Sequence, residues 1–117
     1  MRANRVMTNL RVPDVEEAKA FYAGYLGLTN EELNLGWVAR FTSPDGGAAV
    51  QVVTRDASAP ENSVMSVLCD DVDAAYAEAQ RLGYEIVHPL TEEPWGPRRF
   101  FVRAPDGNVI NIVHHPN

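Results

Sequence analysis

The sequence predicts an α+β fold built from two tandem β-α-β-β-β modules, on three observations. First, a hairpin turn occurs twice. Trp37-Val38-Ala39-Arg40-Phe41-Thr42-Ser43 passes through Pro44-Asp45-Gly46-Gly47 into Ala48-Ala49-Val50, and Arg98 to Arg103 passes through Ala104-Pro105-Asp106-Gly107-Asn108 into Val109 to Val113. In both, Pro fixes φ, Asp supplies a side-chain acceptor and Gly tolerates positive φ. Second, a strand running into an Asp-capped helix occurs twice, at Asp14-Val15 and at Asp71-Val72. Third, the chain has 117 residues, one domain by size, so each copy has only about 50 residues and neither could bury its sheet alone. The two must pack as a pseudo-symmetric pair.

Each element has its own local reason. Arg5 to Val12 alternates, with Val6, Thr8, Leu10 and Val12 on one face and Met7, Asn9 and Arg11 on the other, which predicts a strand. Pro13-Asp14 ends it, and Asp14 caps a helix. Glu16 and Glu17 suit the positive end of that helix, and Val15, Ala18, Phe21, Tyr22 and Tyr25 recur at helical spacing up to Gly27. Leu28 to Leu35 reads as an edge strand, followed by the first hairpin from Trp37 to Val53. Residues 54–62 carry no periodicity and form a connector. The pattern then restarts with a strand from Ser63 to Cys69. Asp70-Asp71 caps a helix through Val72, Ala75, Ala79 and Leu82, which Gly83 ends. Tyr84 to His88 is a short strand, Pro89 to Trp95 a loop, and Pro97 to His114 the second hairpin. Module 1 spans residues 5–53 and module 2 residues 63–114 of a single domain, 1–117.

Composition narrows the function classes. A formal net charge of -6 argues against a nucleic-acid surface, which needs clustered Lys and Arg. Lys19 is the single lysine and falls within a helix pattern, which leaves Schiff-base chemistry no better candidate. Cys69 is alone, so no intrachain disulfide and no cysteine-rich zinc site forms, as in a reducing compartment. No signal-like opening and no membrane-length apolar run is present, so a cytoplasmic protein is expected.

Three stretches carry a family resemblance. Val12-Pro13-Asp14-Val15, then Ala18 to Leu28 (Ala-Lys-Ala-Phe-Tyr-Ala-Gly-Tyr-Leu-Gly-Leu), and later Ala104 to Asn111 (Ala-Pro-Asp-Gly-Asn-Val-Ile-Asn), are similar to the vicinal oxygen chelate superfamily. That group holds glyoxalase I, bleomycin-resistance proteins, fosfomycin-resistance enzymes and extradiol dioxygenases. The resemblance covers nearly the whole chain. It implies mixed sheets curled around a cavity with the helices outside, often completed by a homodimer. It also implies three metal-ligand positions, which fall here on Met7, Val64 and Asn111. A thioether, an isopropyl group and a neutral amide do not replace imidazole or carboxylate, so neither metal nor cofactor is expected. In character the chain resembles the metal-free, drug-binding members.

The chemistry then rests on aromatic and polar residues. Trp37 and Phe41 share one face of the third strand by period two, and Trp95 precedes the second hairpin. Such rings either form flat walls for a planar ligand or pack the sheet and cover an apolar edge. In bleomycin-resistance relatives, aromatics in the region of Trp37 and Phe41 line a groove between subunits. Strand alternation turns Met7, Asn9 and Arg11, Val64, Ser66 and Leu68, and Val109, Asn111 and Val113 toward the cavity that the resemblance implies. Arg40, Arg98, Arg99 and Arg103 either orient an anionic or carbonyl-bearing ligand or are solvated strand residues. No nucleophile constellation is visible: Ser43, Ser58, Ser63 and Ser66 lack a Gly-x-Ser-x-Gly elbow, and Cys69 faces the helix layer as a small core hydrophobe. Glu31, Glu32, Glu92 and Glu93 read as wetted charges, His88 as the residue that precedes Pro89 at the variable loop region, and His114 and His115 as a frayed end.

The expected function is metal-independent sequestration of a small molecule, an aromatic antibiotic-like natural product, by a cytoplasmic homodimer. Its ligand-binding residues are Trp37, Phe41, Trp95, Met7, Asn9, Val64, Ser66, Asn111, Arg40 and Arg99, with no catalytic residue. The alternative is a metal-dependent glyoxalase- or dioxygenase-type lyase or oxidoreductase with a site displaced to Gln51 and His88. A partner-binding module with a vestigial cavity is a third reading.

Overall fold

A computed structural model describes residues 1–116, and these form eight strands and two helices in an α+β arrangement. The elements are β1 (Arg5–Arg11), α1 (Val15–Lys19), β2 (Asn30–Asn34), β3 (Val38–Thr42), β4 (Ala49–Val53), β5 (Met65–Leu68), α2 (Val72–Arg81), β6 (Glu85–Glu92), β7 (Arg98–Arg103) and β8 (Val109–His114). The chain divides into two compact units. One is Met7–Asn62; the other joins Met1–Val6 to the chain from Ser63 onward. The connector therefore folds with the first unit. The first residues go with the second, where Asn4 N donates to the Leu68 carbonyl at 2.7 Å and the terminal amine meets Glu78 Oε1 at 2.7 Å.

In the first unit the strand order is β2-β3-β4-β1, with β1 parallel to β4 and the other pairs antiparallel. Asp14 caps α1 by accepting from Glu16 N at 3.3 Å. Val15 of α1 is buried against Ala39, Phe41, Val50 and Val52, so one face of the sheet is the helix-side core. The single regular helix expected up to Gly27 instead widens into a π-helical turn over Ala20–Tyr25, where Leu26 N donates to the Phe21 carbonyl five residues back at 2.9 Å. Tyr22 still reaches the core. Phe21 and Tyr25 do not: their rings lie 5.4 Å apart on the surface, and Tyr25 is 78% exposed.

The second unit has the same topology, β5-β8-β7-β6, with β5 parallel to β8. Its core packs Val72, Ala75 and Ala79 of α2 against Val67, Cys69, Phe100 and Ile112. Both Pro-Asp-Gly turns form as expected. Gly46 N donates to the Ser43 carbonyl at 2.8 Å and Gly107 N to the Ala104 carbonyl at 2.9 Å, with φ of 75° and 94°, a region only glycine enters without strain. One expected boundary is corrected. The short strand Tyr84 to His88 and the loop after it are instead one eight-residue strand, β6, that runs through Pro89. β6 is the edge of this unit, so a residue without an N–H leaves no ladder partner unmet, and the register shifts between His88 and Thr91 absorb it.

Candidate functional site

Strand parity sorts the chemistry of the second unit. Phe100 points into the helix-side core, so its neighbours Arg99 and Phe101 occupy the opposite, helix-free face. On that face cross-strand register lines up Ser66, Asn111, Phe101 and His88, one from each strand of the unit. Asn111 Nδ2 donates to Ser66 Oγ at 3.0 Å, while Asn111 Oδ1 is buried with no hydrogen-bond partner among the described residues. The His88 ring meets Phe101 edge-on, centroids 5.5 Å apart.

Next to this row is a buried charged cluster. The Arg99 guanidinium lies 4.7 Å from the Phe101 ring centroid and 5.0 Å from that of Trp95. Arg99 Nε donates to Glu93 Oε2 at 2.6 Å, and His88 Nε2 is 3.2 Å from the same oxygen. The Glu93 and Arg99 side chains are 1% and 5% exposed. A carboxylate and a guanidinium tolerate such burial only as a pair, because either alone would lose its hydration without compensation. The turn Glu93-Pro94-Trp95-Gly96-Pro97 builds the cluster. Glu93 N donates to the Pro97 carbonyl at 2.8 Å and Gly96 N to the Glu93 carbonyl at 3.0 Å, which brings the Glu93 carboxylate and the Trp95 ring to the same guanidinium. The result is a fixed, buried cation packed against two aromatic rings, of which Trp95 is the half-buried edge that could meet a planar group.

The first unit carries a matching polar row on its own helix-free face. Gln51 Nε2 donates to Asn9 Oδ1 at 3.0 Å, Arg40 Nε donates to Gln51 Oε1 at 3.1 Å, and Arg40 Nη1 is 3.7 Å from Glu32 Oε1. The register shift between Glu31 and Leu33 in β2 accompanies that last contact. Asn9 and Gln51 are buried, and Thr42 Oγ1 is buried without a hydrogen-bond partner among the described residues.

Several expected site residues are thus brought together: Ser66 with Asn111, Trp95 with Arg99, and Asn9 with Arg40 through Gln51. Others are not. Phe41 is wholly buried in the helix-side core of the first unit, because β3 parity turns it with Ala39 toward α1. Val64 precedes β5 and is 46% exposed, outside the Ser66 row. Met7 is buried, and Trp37 is half-buried with its carbonyl bound by Thr54 N at 2.9 Å. One reading is corrected: Glu93 is no wetted charge but the buried anchor of Arg99, and His88, expected at the end of a short strand, lies inside β6 and is bound to it. No sequence signal marked Glu93, since neighbouring glutamates usually share a solvated face; here Glu92 ends β6 exposed, while Glu93 opens the turn that carries its carboxylate to Arg99.

The donor set does not suit a catalytic divalent ion. Asn9, Gln51, Ser66 and Asn111 offer neutral amides and a hydroxyl, which bond each other, whereas such an ion favours imidazole and carboxylate. Among the described residues no three of His, Cys, Asp and Glu stand together as a metal cluster. The His88–Glu93 pair falls short too, because Arg99 already holds the carboxylate oxygen.

Comparison with known proteins agrees with this topology. The family model of the Glyoxalase/Bleomycin resistance protein/Dioxygenase superfamily matches residues 2–112. No curated protein matches the chain. Among solved structures, methylmalonyl-CoA epimerase from Mycobacterium tuberculosis is 20% identical, with 98% of this chain and 90% of that chain covered and a TM-score of 0.73. A glyoxalase/bleomycin resistance protein/dioxygenase superfamily member from Vibrio splendidus 12B01 is 17% identical over 94% and 97% of the two chains, TM-score 0.69. An uncharacterized protein from Methanosarcina mazei is 21% identical over 99% and 95%, TM-score 0.70. At these identities the structures share the fold.

Proposed function

Given that the chain belongs to the Glyoxalase/Bleomycin resistance protein/Dioxygenase superfamily, we propose that it is a metal-independent binding protein. It sequesters an aromatic, antibiotic-like small molecule without converting it, and works as a cytoplasmic homodimer. The observation that carries this reading is the Arg99 guanidinium held between Trp95 and Phe101 by Glu93. The buried Glu93–Arg99 pair fixes the half-buried Trp95 ring, and stacking on a ring held rigid in this way costs a planar ligand little ordering entropy. Trp95, Arg99, Ser66 and Asn111 are the contacts this reading favours in the second unit, and Asn9 and Arg40 in the first. Phe41 supports its strand from behind.

The deciding experiment is a tryptophan-fluorescence titration with a panel of planar aromatic antibiotics in excess chelator, each ligand being recovered afterwards. Saturable quenching with unchanged ligand, weakened by Trp95→Ala and retained by Trp37→Phe, is expected. A response only after a divalent ion is added, or recovery of an altered ligand, would replace the proposal with a metal-dependent enzyme of the same superfamily. No response to any member would leave a partner-binding module as the better reading.

A further inference from the structure

The first unit also carries a concave region whose lining residues are not among the contacts proposed above. Two depressions of about 300 and 410 Å³ share Arg11, Thr54 and Arg55 in their walls. Arg11 ends β1, opposite Val53 in the parallel pair with β4, and Arg55 follows β4 by two residues, so the sheet register itself delivers both cations to one opening. Val12, Pro13 and Pro60 supply apolar wall, and Glu61 is the single acid on either rim.

The walls are built, although no regular element forms them. Asp56 Oδ1 accepts from Ser58 N at 3.1 Å and Ala59 N at 2.9 Å. Asn62 Oδ1 accepts from Asp56 N at 2.7 Å, and Asn62 Nδ2 donates to the Thr54 carbonyl at 3.2 Å. These bonds tie residues 54–62 into a fixed loop. The charge pattern is unusual for this chain. Arg40, Arg81, Arg98, Arg99 and Arg103 each meet a carboxylate. The side chains of Arg11 and Arg55, like that of Arg2, form no hydrogen bond or ion pair among the described residues, in a protein whose formal net charge is -6. Two guanidinium groups without internal partners on one concave wall, with apolar surface beside them, are the arrangement that receives an oxyanion by paired N–H donors.

We infer that the Arg11–Arg55 pocket binds the carboxylate or phosphate of a small anionic ligand, independently of the aromatic site. Carboxylate and phosphate oxygens both match the fork of N–H donors that a guanidinium carries. The test uses the full chain labelled with ¹⁵N, following arginine Nε–Hε signals during titration with inorganic phosphate and, separately, with acetate, at constant ionic strength. Saturable shifts confined to Arg11 and Arg55 are expected. Either probe binding alone would name the source chemistry. Arg11→Gln and Arg55→Gln should each weaken binding about tenfold to a hundredfold, the scale of losing a charge-assisted hydrogen bond. Non-saturating shifts of equal size at the exposed Arg2 and Arg81 would overturn the inference. Because the wild-type signals report binding directly, a variant that fails to fold does not protect it. Loss of phosphate or acetate binding with aromatic-ligand quenching intact would separate this site from the proposed one.

Discussion

Arg99 and Glu93 show how a single residue pair sets the character of a face. Both side chains are nearly inaccessible and 2.6 Å apart. Removing one charge leaves the other buried without a partner, at a cost of about 3–5 kcal/mol, while replacing both with apolar residues of similar volume is near neutral. Glu93→Gln is therefore expected to lower the urea midpoint sharply, and the double variant Glu93→Leu with Arg99→Met to recover most of the loss; equilibrium denaturation with matched slopes measures both. The double variant should nonetheless quench no aromatic ligand, which separates stability from recognition. Cys69 illustrates the opposite outcome. Burial, followed by the nearby carboxylates of Asp70 and Asp71, pushes its thiol up, which keeps it a packed, unreactive sulfur in the core of the second unit.

At the scale of elements, exposed ion pairs tie helix to strand. Asp73 near the start of α2 accepts from Arg98 Nη2 of β7 at 2.7 Å, and that hydrogen bond holds the Asp73 carboxyl below its usual range. Glu78 is held down in the same way by the terminal amine. A carboxyl whose folded pKa lies below its unfolded value adds stability that is fully present above the unfolded value, about 4, and disappears as the pH falls through the folded one. The thermal midpoint is therefore expected to stay level between pH 7 and about pH 5 and to drop below about pH 4. Asp73→Asn should flatten part of that drop. Added salt should flatten it further, since the pair is exposed and screened. Thermal melts by circular dichroism across this range give the answer; an unchanged acid limb in the variant would remove Asp73 from the account.

At the scale of the molecule, the superfamily commonly pairs its chains, and the π-helical turn leaves Phe21, Tyr25 and Leu26 at least half or nearly half exposed. Sedimentation equilibrium is expected to give twice 12.9 kDa, and a monomer at tens of micromolar would count against the dimer. What the sequence determined by itself was the modular plan. Asp14 and Asp71 cap helices, the two Pro-Asp-Gly turns close hairpins, and period-two alternation assigns faces, because each of these is a local property of a few neighbouring residues. The alternation also placed Asn9, Ser66 and Asn111 on cavity-facing sides, but Asn9 meets Gln51 and Ser66 meets Asn111 only across parallel strand pairs 42 and 45 residues apart in sequence. Only the tertiary structure decided the rest. Whether β6 would stop at Pro89 depended on its being an edge strand, with no partner for the missing N–H. Whether Phe41 or Arg99 would face a ligand depended on which side the helix covered. That Glu93 would reach Arg99, and that Arg11 and Arg55 would share a wall, depended on strand pairing between segments distant in sequence, which no window of residues encodes.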